Sequence, residues 1–393
     1  MADDIVITGM GVVSPIGCDE QRFWRSLCKG APGTSTVDGL DTTQLPRAIA
    51  CQVREPFVSD AFGGRASQLA VAAGKQAIAD ASLVNQVDPH RIFVVVGTTM
   101  GETEFIEERL TAPADDWLTT EHVQRIVSGR PGSIAANVAQ SLKADCPALD
   151  LYGACAAGNM ALAYARRQLL AGRCDVALAG GADGFSRLAF LGFMRLRIMA
   201  AGVCRPFDER RDGLLVGEGA GMFVLERESS AKARGARIRA RLAGCGGSCE
   251  TYHPTRPDPE GDGLLRSTQA ALADAVVSPE DVDYVCAHGT GTPHNDAVEV
   301  AVMERLFRRG VAFSSIKALT GHTMGAAAAL EASCCVLSLE HQVLIPTWNL
   351  EQVLQPCSLD AVRDGVRPAK LGCLLNNSAG FGGYNSSVIL CAA

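Results

Sequence analysis

The chain has 393 residues, 47% of them hydrophobic and 20% charged, with 41 glycines and a formal net charge of −7. This composition excludes a disordered chain, and its acidic balance offers nucleic acid phosphates no general attraction. Met1-Ala2-Asp3-Asp4 carries no basic region ahead of an apolar stretch, and no apolar run is long enough to span a membrane. A cytoplasmic protein is therefore expected, its fifteen cysteines reduced and mostly serving as small core hydrophobes. None shows C-x-x-C zinc spacing, so no metal site is expected.

In chain order, Asp4–Thr8 is the first predicted strand and enters Gly9-Met10-Gly11. A helix follows over Ala66–Asp80. Ile92–Val96 is a second strand, entering Gly97-Thr98-Thr99-Met100-Gly101. Leu149–Tyr152 enters Gly153-Ala154-Cys155-Ala156-Ala157-Gly158, and a helix is predicted over Gly158–Ala171. Gly244–Asp262 carries no period and is expected to pack at the mouth of a site. Gly263–Asp274 and Ala297–Phe307 have helical spacing and flank the strand Asp283–Ala287, which runs into His288-Gly289-Thr290-Gly291-Thr292. Cys373–Asn377 enters Ser378-Ala379-Gly380-Phe381-Gly382-Gly383. Continuous apolar strands are buried on both faces, and their alternation with helices predicts α/β with covered sheets. Two strand-to-glycine turns occur in pairs, at Ile92–Glu104 with Asp283–Glu299 and at Leu149–Gly158 with Cys373–Gly383. The chain is therefore expected to hold two related halves, 1–240 and 241–393.

Cys155 follows a strand and opens a helix. A thiol there sits at the positive end of the helix dipole, beside unpaired N–H groups, and both favour the nucleophilic thiolate. Of seven histidines, His288 ends a strand beside Gly289 and His322 follows Gly321, so a ligand can come close to either ring. His253 and His294 are read as ordinary turn residues. A Cys–His pair fits acyl transfer or proteolysis. A second neutral histidine adds a donor for the enolate formed when a malonyl thioester loses CO2. The glycines around Phe381 let its N–H pair with that of Cys155 as an oxyanion hole. Arg166, Arg167, Arg195, Arg197, Arg205, Arg210 and Arg211 are either ordinary surface charge or a landing site for an acidic carrier.

These segments, in this order, resemble the β-ketoacyl–acyl carrier protein synthases, the elongating ketosynthases of the thiolase superfamily. The resemblance begins at Val6–Gly17 and takes in Gly153–Gly158, Arg205-Pro206-Phe207-Asp208, Gly217–Gly221, Ala287–Pro293, Lys317–Gly325 and Gly380–Gly383. It implies a thiolase-like five-layered α-β-α-β-α fold, active as a homodimer or as a heterodimer with a chain-length-factor-like subunit. It also implies decarboxylative Claisen condensation of an acyl thioester with malonyl-acyl carrier protein, extending a fatty-acid or polyketide chain by two carbons. Cys155 would take the acyl chain, and His288 and His322 would hold the extender carbonyl, with Lys317 and Glu331 supporting His322. Thr290, Thr292 and Gly382 would meet the phosphopantetheine arm of the carrier protein, and Phe381 would gate the thiol. No further cofactor is implied.

Four positions depart from the family pattern: Gly153, Ala157, Ala379 and Tyr384. Small residues beside Cys155 are expected to widen the space there. Glu102–Ser133, expected to meet a second subunit, also matches poorly. Both departures favour a specialised polyketide or polyene ketosynthase over housekeeping fatty-acid synthesis. A degradative thiolase would need a C-x-G-x-G loop where Gly380–Gly383 stands. An initiating synthase would carry asparagine at His322, a chain-length factor would lack Cys155, and a cysteine protease would not need the second histidine.

Overall fold

β1 (Ile5–Val13) is buried along its whole length, which places it inside the molecule. Its glycines leave room for a helix: a Cβ on Gly9 or Gly11 would lie about 2 Å from the backbone oxygens of Ala77 and Ala73. The computed structural model describes residues 3–60, 63–83, 87–111, 123, 127 and 129–393.

Ten strands repeat one pattern. β1, β2 (Ile92–Thr98), β3 (Ala148–Tyr152), β4 (Val176–Asp183) and β5 (Gly219–Arg227) lie in the order β1-β5-β4-β2-β3. β6 (Ala240–Cys249), β7 (Tyr284–Cys286), β8 (Ala312–Ser314), β9 (Cys373–Ala379) and β10 (Tyr384–Cys391) lie in the order β6-β10-β9-β7-β8. The first, fifth and fourth strands of each set pair antiparallel, and the fourth, second and third pair parallel. The sets join where Val6 and Ile7 of β1 meet Arg241 and Ala240 of β6. Asp360–Ala361 adds an edge pair beside β8.

The helices supply the remaining layers. α1 (Arg65–Asp80) and α2 (Ser133–Ser141) cover the outer face of the first set. α3 (Ala157–Leu170) follows β3, and α4 (Arg187–Arg195) follows β4. α5 (Asp262–Ala275), with α6 (Pro293–Leu306) against it, covers the outer face of the second set. α7 (Ala327–His341) is buried from Ala327 to Leu339 and lies with α3 between the two sets. A helix apolar on all sides must sit inside. The thiolase-like five layers are thus α1/α2, sheet, α3/α7, sheet and α5/α6. α3 and α7 meet at Gly158, where a Cβ would stand 2.9 Å from the Ala329 nitrogen.

Gly244–Asp262 differs from its expected irregularity. Its first third is the end of β6, hidden in the sequence because Gly244 and Gly246 admit the backbone of α5. β4, β5 and β10 went unread for a similar reason, since glycines and serines dilute their apolar pattern. All fifteen cysteines are free and most are buried. Among the described residues no helix is long and apolar enough to cross a membrane.

Candidate active site

Cys155, His288 and His322 line one cavity of about 370 Å³. The three come from three different chain reversals. Cys155 sits in the tight turn Ala154–Ala156 that leads into α3, and it is 6% exposed. Ala154 ahead of it has φ +48°, an unusual left-handed conformation for a residue with a Cβ. The backbone N–H groups of Phe381 and of Cys155 itself face the sulfur. These are the two N–H groups that the sequence reading paired. Gly380 makes this arrangement possible, since a Cβ there would lie 3.0 Å from the Cys155 nitrogen.

The resting thiol differs from the thiolate expected at a helix N-terminus. Burial pushes it up to about 12, against the lowering effects of the Lys317 charge and the Phe381 N–H. Desolvation of an anion in this enclosed position outweighs the local donors.

His288 follows β7 and is held from both sides. Glu299 of α6 accepts the N–H groups of His288 and Gly289 at 2.7 and 2.8 Å. Lys317 Nζ lies 3.2 Å from His288 Nδ1 and donates to the His288 carbonyl at 2.6 Å. An ammonium can only donate, so Nδ1 accepts and the proton of the neutral ring lies on Nε2. Lys317 also bonds Glu331, and both side chains are 1% exposed. The Lys317–Glu331 pair therefore stands behind His288, not behind His322 as the sequence suggested. Lys317 opens the short helix Lys317–Thr320, which aims its side chain across to the end of β7.

His322 obtains the same tautomer differently. The backbone N–H of Met324 donates to His322 Nδ1 at 3.1 Å, again leaving the proton on Nε2. The two rings meet edge to face, with centroids 5.3 Å apart. Burial, then the Lys317 charge, holds both well below the usual histidine range, so both are neutral. Two neutral Nε2–H donors and a thiol thus share one cavity.

Thr290 and Thr292 line the cavity, their hydroxyls 2.8 Å apart. Asp296 accepts the N–H groups of Thr290, Gly291 and Phe207, which fixes the loop after His288. Phe381 lines the cavity and packs edge to face on Phe193 at 5.7 Å. Gly382 does not line it: its N–H is committed to the Pro254 carbonyl at 2.8 Å, so it holds the Phe381 turn instead of a ligand. His253, Arg256 and His294 stand on the cavity wall, so the stretch after Cys249 does pack at the mouth. Phe193, Leu196, Ile198 and Leu214 give the cavity an apolar side.

One more expectation changes. Gly153 does not open space beside the thiol, because a Cβ there would meet Met160 Sδ at 2.6 Å. Of the seven arginines, Arg166 is bound to Asp274, Arg210 to Asp208 and Glu351, and Arg211 to backbone carbonyls. Within Glu102–Ser133, residues 112–122, 124–126 and 128 lie outside the described residues.

Asp183, Asp296 and Glu299 are structural site residues that the sequence reading missed. Asp296 and Glu299 entered the sequence reading only as part of the paired turn Asp283–Glu299. The available signal was that Asp183 ends the otherwise apolar run Val176–Ala182, where a carboxylate needs partners.

The β-ketoacyl synthase N-terminal domain model matches residues 2–231, and the C-terminal domain model matches residues 239–351. A 3-oxoacyl-[acyl-carrier-protein] synthase 2 of Coxiella burnetii is 35% identical over 98% of both chains. The solved ishigamide ketosynthase/chain length factor superposes with TM-score 0.94 at 36% identity, covering 100% of both chains. A type II polyketide synthase ketosynthase, solved with its acyl-carrier protein and bound to the hexaketide, gives 0.92 at 29% identity, also over 100% of both.

Proposed function

Because this chain belongs to the β-ketoacyl synthases, ketosynthase enzymes of fatty-acid and polyketide synthesis, we propose that its cavity joins an acyl chain to a decarboxylated malonyl unit, two carbons at a time. The observation that carries this is the meeting of Cys155 with two neutral Nε2–H donors in one cavity.

The Cys155 sulfur attacks the acyl thioester of the carrier protein, the new C–S bond forms, and the thiol proton leaves with the departing phosphopantetheine thiol. The N–H groups of Cys155 and Phe381 stabilise the tetrahedral oxyanion. A malonyl thioester then enters along Thr290 and Thr292, with its carbonyl on His288 and His322. Loss of CO2 leaves an enolate whose negative oxygen the two Nε2–H groups stabilise. Its carbon attacks the acyl carbonyl, the C–C bond forms and the bond to sulfur breaks. The Cys155 thiolate is then reprotonated. No resident cofactor enters this scheme.

The finer reading is a specialised polyketide or polyene ketosynthase. It is supported by the departures at Ala157, Ala379 and Tyr384 and by the polyketide systems among the similar structures. We take 1–240 and 241–393 as the two duplicated halves, and the cytoplasm as the site of action. β3 is an edge strand that exposes Leu149 and Tyr152, which suits pairing with a second subunit, either a copy or a chain-length-factor-like partner. The test supplies malonyl-carrier protein with either saturated or polyunsaturated acyl-carrier protein and weighs the product. Extension by two carbons with a preference for the unsaturated chain supports the finer reading. Equal or better use of saturated chains overturns it, and no extension with the partner subunit present overturns the reaction.

A further inference from the structure

The turn Ala154–Ala156 before α3 and the turn Met324–Ala326 before α7 are counterparts in the duplicated strand pattern. Each begins with a non-glycine residue at positive φ, Ala154 at +48° and Met324 at +55°. Each runs directly into a central helix. Gly325 therefore stands in the second turn where Cys155 stands in the first. What the strand from the opposite set supplies differs between the two turns. β9, the fourth strand of its set, ends beside Gly380, which leaves the Cys155 N–H facing the sulfur. β4, the fourth strand of the other set, ends in Asp183, which is 0% exposed. Asp183 Oδ2 accepts the Gly325 N–H at 2.6 Å and the Thr99 N–H at 2.8 Å. Its Oδ1 accepts the Thr98 hydroxyl at 2.6 Å and the Met100 N–H at 3.0 Å.

We infer that Asp183 is the positioning residue for His322, acting across the two strand sets through the backbone of Met324 and Gly325. The chain of contacts is short. Asp183 pins Gly325 against the end of β2, where a Cβ on Gly325 would lie 2.6 Å from Thr98 Cα. Pinned there, Met324 keeps its left-handed conformation and gives its N–H to His322 Nδ1. That bond holds the ring's proton on Nε2, facing the reaction. Four donors on one buried carboxylate satisfy it without a cation, so no arginine or lysine is needed beside the thiol. Strain of this kind persists only where surrounding contacts over-determine it.

This inference rests on the decarboxylation role assigned to His322 above. The test measures two half-reactions separately in Asp183→Asn: CO2 release from malonyl-carrier protein, and acylation of Cys155 read by intact mass. The asparagine keeps one acceptor oxygen in place of two, so its N–H2 meets either the Thr99 and Gly325 N–H groups or the Met100 N–H, and the four-donor set is broken in both orientations. Decarboxylation should fall on the order of 100-fold, as for a catalytic group displaced by about 1 Å. Acylation should hold or quicken, because the Asp183 charge opposes thiolate formation at Cys155. The ¹⁵N signals of His322 should shift from one fixed tautomer towards an exchanging mixture. Equal losses in both half-reactions, or unchanged decarboxylation with the His322 signals unmoved, overturn the inference. If Asp183→Asn does not fold, Gly325→Ala pushes the same turn off Thr98 without touching the carboxylate and must give the same split. His322→Ala is the separate control. Retained decarboxylation there defeats the role of His322, whereas its loss alongside an unaffected Asp183→Asn defeats only the positioning.

Discussion

His288 and His322 present the same tautomer to one cavity, yet their supports have nothing in common. His288 is held by an ammonium, Lys317, which is in turn neutralised by the buried Glu331. His322 is held by a neutral backbone N–H in a strained turn, itself fixed by hydrogen bonds to Asp183. The first support depends on charge buried in low dielectric and fails if its balance is broken. The second depends on backbone geometry and fails if the turn relaxes. A pair of donors built this way can be disabled one at a time, by different kinds of substitution.

The largest effect is expected at the charged support. Lys317→Met strands the Glu331 carboxylate, and breaking a buried pair from one side costs about 3–5 kcal/mol. Denaturant unfolding should show this loss, and adding Glu331→Gln should return most of the stability without restoring decarboxylation. Next come the donors themselves. His288→Ala and His322→Ala should each lower CO2 release about 100- to 1,000-fold, in line with removal of one preorganised donor, while Cys155 still acylates. Gly380→Ala should have a smaller effect, of the opposite selectivity. Its methyl group crowds the Cys155 nitrogen, so acylation should slow more than decarboxylation.

The smallest and sharpest test is a titration. Both rings lie well below 6.5, first because burial disfavours the imidazolium and second because Lys317 is positive. In Lys317→Met/Glu331→Gln the second cause is gone and the first remains. NMR should therefore show the His288 midpoint rising but staying below 6.5. In the wild type neither ring should take up a proton near pH 6.5, so the NMR signals of both should hold through that range. A ring midpoint at 6.5 would mean that the rings are solvated in the working enzyme, whereas a rate that falls between about 6 and 7 with the ring signals unmoved would report Asp183 or Glu299, which burial pushes up to about 6 and about 7.

Much of this site was legible in the sequence because its parts lie at strand ends. Cys155, His288 and Phe381 each follow an apolar run and have a glycine within two residues, and those two signals survive without coordinates. The resemblance supplied the order of the segments and the layered fold. What the sequence hid was contact between distant segments. The resemblance placed Lys317 behind His322, five residues on, but the intervening helical turn sends its side chain to His288. Asp183 and Gly325 are 142 residues apart, and nothing local links them. Gly153 looked like open space, yet Met160, in the first turn of α3, already fills it. The resting state of Cys155 was misjudged for a related reason. A helix N-terminus can be read from a sequence, whereas the desolvation that opposes it depends on everything packed around the thiol.

The most direct measurement is the intact mass of the protein after incubation with an acyl-carrier protein thioester, in the wild type and in Cys155→Ala. The expected result is a gain of one acyl group that disappears in the variant. A gain that persists in Cys155→Ala would place the nucleophile elsewhere and contradict the role of this cavity.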